Sequence, residues 1–132
     1  MELISWLHGD KLREEWDKIV RLFEIGESLL KSMEVSGIGA LMNAMYSALN
    51  LKLYSLGIGW TPQTDLSSKI ERLVEAGIDA RSLAWGDLAA MRGYDAHARP
   101  VSRADLNNLR RHLNELREVL FKLQPIFGPV AS

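Results

Sequence analysis

The 132-residue sequence has a formal net charge of −1, contains no cysteine, and is 47% hydrophobic. This length fits one domain, residues 1–132 with a core over about 10–123, which can fold without a disulfide or a metal. The absence of cysteine excludes disulfides, thiolate zinc sites and a cysteine nucleophile. No apolar run approaches ~18 residues and the first residues lack a basic leader, so we expect a soluble, cytoplasmic protein without membrane contact.

The first two helices are predicted by apolar residues at alternating spacings of three and four. The first runs from about Asp10, its cap, to Met33, and the second follows Ser36 and continues to about Leu56, before Gly57. The first stripe comprises Leu12, Trp16, Ile19, Phe23, Gly26, Leu30 and Met33. The second comprises Ile38, Leu41, Met42, Met45, Leu49, Leu53 and Leu56.

Two shorter helices should follow the Gly- and Pro-containing loop 57–63. Thr64 or Asp65 caps the third helix, which ends at Gly77. Its apolar residues are Leu66, Ile70, Leu73 and Val74. The fourth starts near Ser82 and ends by about Ala98, because Pro100 disfavours helical geometry in the residue before it. Its apolar residues are Leu83, Leu88 and Met91.

The last helix has the clearest pattern. Ser102 and Asp105 form an S-x-x-D cap signal, and Pro125 ends the helix. The leucines between them, at three-four spacing, are Leu106, Leu109, Leu113, Leu116, Leu120 and Leu123. No segment alternates with a period of two, so we predict an all-α, antiparallel up-and-down bundle of about five helices.

The charge is distributed unevenly along the chain. Residues 1–91 contain nine Lys or Arg and thirteen Asp or Glu, whereas residues 92–132 contain seven and four. Either these are solvated helix surfaces, or the C-terminal part binds an anion. A basic face on the last helix carries Arg103, Arg110, Arg111 and Arg117. That helix is about twenty residues long, and it carries a full stripe of leucines for packing in the core. Its basic face is therefore better suited to binding RNA phosphates than to reading bases in a DNA groove.

Two of the three histidines suggest no chemistry. His8 is expected at the surface near the N-terminus, and His112 on a solvated helix face. His112 and Glu115 form an H-x-x-E pair, but a di-iron bundle needs this motif twice with two further glutamates. We therefore predict no metal site and no cofactor.

His97 lies in a segment, residues 91–99, that is rich in polar groups. A histidine can remove the proton from an RNA 2′-hydroxyl, and the planar guanidinium of Arg92 can hold the attacked phosphate. Further groups for contacting this substrate are Tyr94, Asp95, Arg99 and Arg103. The alternative is a structural role, in which Arg92 and His97 make hydrogen bonds within a plain helical interaction protein.

Arg92 and His97 are five residues apart, so on a straight helix they point ~140° away from each other. Either the helix unwinds before His97, or two chains share their residues. A two-fold homodimer would bring two such pairs together, and the nearby apolar Trp85, Leu88 and Met91 favour this solution.

The motif Met91-Arg92-Gly93-Tyr94-Asp95-Ala96-His97, ahead of a capped last helix, resembles that of the HEPN domain superfamily, in particular the HepT-type toxins of prokaryotic toxin–antitoxin pairs. The segments 40–49 and 66–78 resemble the long second helix and the short third helix of that family in their position and in their pattern of residues. The resemblance implies a metal-independent endoribonuclease whose products end in a 2′,3′-cyclic phosphate. It makes Arg92 the phosphate-binding arginine and His97 the catalytic histidine, in a cleft between two chains.

The resemblance also implies a partner, a minimal nucleotidyltransferase that acts as antitoxin. Two positions depart from the family pattern. Gly93 replaces the usual polar residue after the arginine, and Arg99 stands where the modified toxins carry a tyrosine. Gly93 favours the alternative of a non-catalytic HEPN-like module that binds a nucleotidyltransferase and a nucleotide or RNA.

Overall fold

The structure, a computed structural model, describes residues 10–96 and 101–126, and for 92–96 it describes the backbone alone. The helices of this part are α1 (Asp10–Lys31), α2 (Ser36–Ser55), α3 (Leu66–Glu75), α4 (Ala84–Ala96), α5 (Arg103–Arg111) and α6 (Leu113–Lys122). Residues 10–96 and 101–126 contain no strand, so the predicted all-helical bundle is confirmed. None of these helices combines the length and apolar character that crossing a bilayer requires.

Helices α1 and α2 form a tightly packed antiparallel hairpin. They cross at Gly26 and Gly37, where the absence of side chains allows the two backbones to approach. A Cβ atom on Gly37 would lie 2.8 Å from both the Gly26 carbonyl oxygen and the Leu30 nitrogen. The turn between the helices passes through Met33 at a φ of 59°, so α1 ends two residues before the predicted limit.

The predicted apolar stripes face a common core. Its fully buried large side chains are Phe23, Leu30, Leu41, Met45, Leu49, Leu53, Leu73, Leu88, Leu109, Leu116, Leu120 and Leu123. Two predicted core positions are wrong. Leu83 is 84% exposed because it precedes the first turn of α4, and Leu56 is 39% exposed because it follows the last turn of α2.

Local capping explains where the short helices begin. The Asp65 carboxylate accepts the Ser68 N–H at 2.8 Å, which settles the choice between Thr64 and Asp65 as the cap of α3. Ser102 and Asp105 form the predicted reciprocal capping box at the start of α5. Such caps satisfy backbone N–H groups that have no partner within the helix.

The predicted single last helix is divided at His112. The His112 N–H donates to the Leu109 carbonyl at 3.1 Å, a bond across three residues, and the Leu116 N–H returns to the His112 carbonyl at 2.9 Å. Leu109, Leu113 and Leu116 are buried on both sides of this break. The leucine spacing therefore could not reveal it, because a one-residue turn leaves the buried face nearly unchanged.

Candidate functional site

Helix α4, which carries Arg92, is fixed to the core of its own chain. Trp85, Leu88 and Met91 are buried, and the Trp85 indole N–H donates to the Ala80 carbonyl at 2.7 Å. These three side chains therefore cannot provide the contact with a second chain that the sequence led us to expect. The prediction of a homodimer loses this part of its basis.

Polar contacts also determine how α4 runs against the C-terminal helices. Asp87 Oδ2 contacts His112 Nδ1, and the Ser82 hydroxyl donates to Glu115 Oε2 at 3.2 Å. Moving forward along the chain from Ser82 to Asp87 therefore corresponds to moving backward from Glu115 to His112. Helix α4 is antiparallel to the α5–α6 segment.

The Asp87–His112 contact corrects the prediction that His112 lies on a solvated face. The side chains of His112 and Asp87 are 32% and 28% exposed, and they link the first turn of α4 to the break between α5 and α6. The sequence pattern does not predict this contact, because the two residues are 25 positions apart. The only sequence signal was that both lie off the apolar stripes of their helices.

The predicted catalytic pair is only partly covered by the structure. Arg92 lies within α4, and the backbone stays helical through Gly93, Tyr94 and Asp95 to the end of the helix. His97 and Arg99 lie outside the described residues, so the geometry of the motif stays a prediction.

Arg103 is exposed at the first position of α5. From the Asp87–His112 contact, Ala96 lies nine residues forward along α4 and Arg103 nine residues back along α5. At 1.5 Å of rise per residue, each is about 13 Å from that contact. The end of the motif helix and Arg103 therefore lie at the same end of the bundle.

The predicted basic face of the last helix is divided in two by its contacts. Arg117 forms an ion pair with Glu27 of α1, and its guanidinium lies 5.5 Å from the centre of the Phe23 ring. The charge of Arg117 is thus neutralised within the fold. Arg110 and Arg111 are exposed and line an open groove.

The described residues offer no obvious metal ligand set. No three His, Cys, Asp or Glu side chains within 10–96 and 101–126 come together in a way that could hold an ion. The H-x-x-E pair is divided between other partners, because His112 contacts Asp87 and Glu115 accepts from Ser82.

No family model, curated protein or solved structure matches this chain. Any functional assignment therefore depends on the residues and their arrangement.

Proposed function

We propose that this protein is a metal-independent endoribonuclease of HEPN type, the toxin component of a prokaryotic toxin–antitoxin module. The observation that carries the proposal is the position of Arg92. It lies on a helix anchored to the core, and this helix ends at the same end of the bundle as the capped start of α5. This position is consistent with the sequence motif Arg-x4-His ahead of a capped final segment.

In the proposed reaction, the His97 imidazole removes the proton from a 2′-hydroxyl of RNA, and the resulting oxygen attacks the adjacent phosphorus. The bond from phosphorus to the 5′-oxygen breaks, and the leaving oxygen takes a proton from water, while the imidazolium of His97 returns its proton to the solvent. The product strand ends in a 2′,3′-cyclic phosphate. The Arg92 guanidinium stabilises the negative charge that develops on the phosphoryl oxygens.

The backbone of α4 supports a site shared between two chains. The helix is regular from Arg92 to Ala96, the residue just before His97. No unwinding between these two residues therefore turns Arg92 and His97 toward each other. With ~100° of rotation per residue, groups five apart diverge by ~140° if the helix continues. A homodimer would combine Arg92 of one chain with His97 of the other.

The test is incubation of the purified protein with mixed cellular RNA, with and without EDTA. We expect cleavage that EDTA does not reduce, with ends that are 2′,3′-cyclic phosphate or the 3′-phosphate formed by its hydrolysis. Cleavage abolished by EDTA and restored by a divalent metal would contradict the mechanism, and so would 3′-hydroxyl ends.

A second candidate function is favoured by Gly93, which lacks the polar side chain usual after the motif arginine. In this case the chain is a non-catalytic HEPN-like module that binds a minimal nucleotidyltransferase and a nucleotide or RNA. The neighbouring open reading frame and co-purification separate the two. A stable complex with a nucleotidyltransferase, together with no RNA cleavage by the free chain, would favour this second function.

A further inference from the structure

A groove with a strong positive charge opens where the C-terminal end of α1 meets the α5–α6 break. Its lining residues are Lys31, Asn107, Arg110, Arg111, Leu113 and Asn114. Three of these side chains are cationic, two are carboxamides and none is a carboxylate. The groove is open to solvent, so it suits an extended strand better than a small molecule that needs enclosure.

The charge of this groove is not neutralised within the described part of the chain. Arg110 Nη1 lies 3.4 Å from the thioether sulfur of Met33, and Arg111 donates to the amide oxygen of Asn108. Both acceptors are neutral, and neither uses the full set of five N–H donors that a guanidinium carries.

Two other arginines of the described residues contact acids, whereas Arg72 donates to the Gly59 carbonyl. Arg117 contacts Glu27, and Arg81 donates to Asp79 at 2.9 Å, which lowers the pKa of the Asp79 carboxyl to about 2. Arg110 and Arg111 have no such acid among their contacts within residues 10–96 and 101–126. Like charges gathered without a counter-charge repel one another, and a polyanion would relieve this repulsion.

We propose that this groove binds consecutive phosphates of a single-stranded RNA. Arg110 and Arg111 offer planar forks that match phosphate oxygens, and Lys31 at the end of α1 adds a point charge to the lining of the groove. The carboxamides of Asn107 and Asn114 can donate to phosphate oxygens and to the 2′-oxygens of the ribose.

This inference deepens the proposed function and rests on it for the role of the bound strand. Arg103 and Arg110 are on the same helix, seven residues and about 10 Å apart. A strand bound in the groove could thus continue along α5 to the end of the bundle where the motif helix ends. The groove would hold the RNA beside the cleavage site without taking part in the chemistry.

The test measures binding without cleavage, by fluorescence anisotropy with a labelled 2′-O-methyl RNA oligonucleotide. This RNA lacks the 2′-hydroxyl nucleophile and cannot be cut by the proposed mechanism. The groove variant is Arg110→Gln/Arg111→Gln. Its matched control, Arg21→Gln/Lys122→Gln, removes two exposed positive charges from α1 and α6 outside the groove.

We expect the groove variant to bind the RNA about tenfold more weakly. The negative slope of log K against log salt should become shallower by about 1.4, since each of the two lost phosphate contacts on a single strand contributes about 0.7. The control should keep the slope of the unmodified protein. Thermal melts should show all variants folded.

Equal losses in the two double variants would overturn the inference, because the effect would then be general charge. Preferential, groove-dependent binding of duplex DNA or of polyglutamate would overturn the RNA assignment. If the protein cleaves RNA but the groove variant binds normally, the groove inference fails and the ribonuclease proposal survives. If the protein cleaves no RNA but the groove variant loses binding, the ribonuclease proposal fails and the groove remains an RNA site.

Discussion

His112 Nδ1 and Asp87 Oδ2 join the break between α5 and α6 to the first turn of α4. The contact holds the helix that carries Arg92 in a defined register against the C-terminal helices. It lies where the buried leucine stripe changes helix, and both side chains are about one-third exposed. The pair is thus a positioning contact, five residues ahead of the proposed phosphate-binding arginine.

The Asp87–His112 contact should appear as a coupling energy in a double-mutant cycle of Asp87→Asn and His112→Asn. Because the residues touch and are partly shielded from water, we expect a coupling of about 0.5–3 kcal/mol in the free energy of unfolding, measured by urea denaturation. A cycle of His112→Asn with Asp17→Asn, an exposed residue of α1, should be additive. Additivity in the first cycle would contradict a direct contact.

Arg92 and His97 should contribute to catalysis and little to folding. Arg92→Ala should reduce RNA turnover by ~10²–10³, the usual value of one preorganised charged donor. His97→Ala should reduce it by ~10²–10⁴ through loss of proton transfer. The melting temperature should change little in either variant. Cleavage that survives both substitutions would indicate a contaminant, and a large fall in both melting temperatures without any cleavage in the parent would indicate a structural role.

The proposed site, shared between two chains, requires a homodimer. Light scattering at micromolar concentration should give about twice the chain mass of 14.9 kDa. If two chains share the site, mixing Arg92→Ala with His97→Ala should restore part of the activity, because some heterodimers contain one intact pair. A strict monomer that cleaves RNA would contradict the shared site.

The helices were predictable because their burial follows from local spacing. Leu106, Leu109 and Leu113 repeat at three-four intervals, and this repeat defines a buried face whatever the partner helices are. Caps are equally local, as Ser102 and Asp105 show. Leu83 is exposed because the helix starts at Ala84, two residues after the predicted start near Ser82, and this difference moves the side chain from the core to solvent.

The candidate site was only partly predictable, because its contacts join distant parts of the chain. Arg110 and Arg111 were visible in the sequence as part of a basic face, but the spacing did not show that Lys31 lines the same groove. Arg117 has the same sequence context, and only the packing of α1 against the C-terminal helices shows that Glu27 neutralises it. Side-chain partners of this kind depend on tertiary packing and not on periodicity.

Lys52 should make stability depend on pH. It is only 5% exposed, its ammonium donates to the Gln124 carbonyl at 2.8 Å, and burial lowers its pKa below the ordinary 10.5. Between the lowered pKa and 10.5, the unfolded chain binds more protons than the folded one, so raising the pH stabilises the fold. The free energy of unfolding of the parent relative to Lys52→Met should therefore rise toward pH 10.5 in urea denaturation.

The matched variant for this prediction is Lys52→Arg. A guanidinium keeps its charge across this range, so this variant should lack the pH-dependent increase, as Lys52→Met does. A difference between parent and variants that stays constant from pH 7 to 10.5 would show that the Lys52 amine titrates alike in the folded and unfolded chains.

Two glycines of α2, Gly37 and Gly39, should respond to the same substitution by alanine with opposite changes in the free energy of unfolding. A Cβ on Gly37 would lie 2.8 Å from backbone atoms of α1, the Gly26 carbonyl oxygen and the Leu30 nitrogen, which cannot move aside without separating the helices. Gly37→Ala should therefore destabilise the fold by about 1–3 kcal/mol. A Cβ on Gly39 would meet nothing within 4 Å, so Gly39→Ala should stabilise by about 0.5–1 kcal/mol, because alanine loses less backbone entropy in a helix. Urea denaturation of both variants measures the two shifts, and shifts of the same sign would contradict the close crossing of α1 and α2 at Gly37.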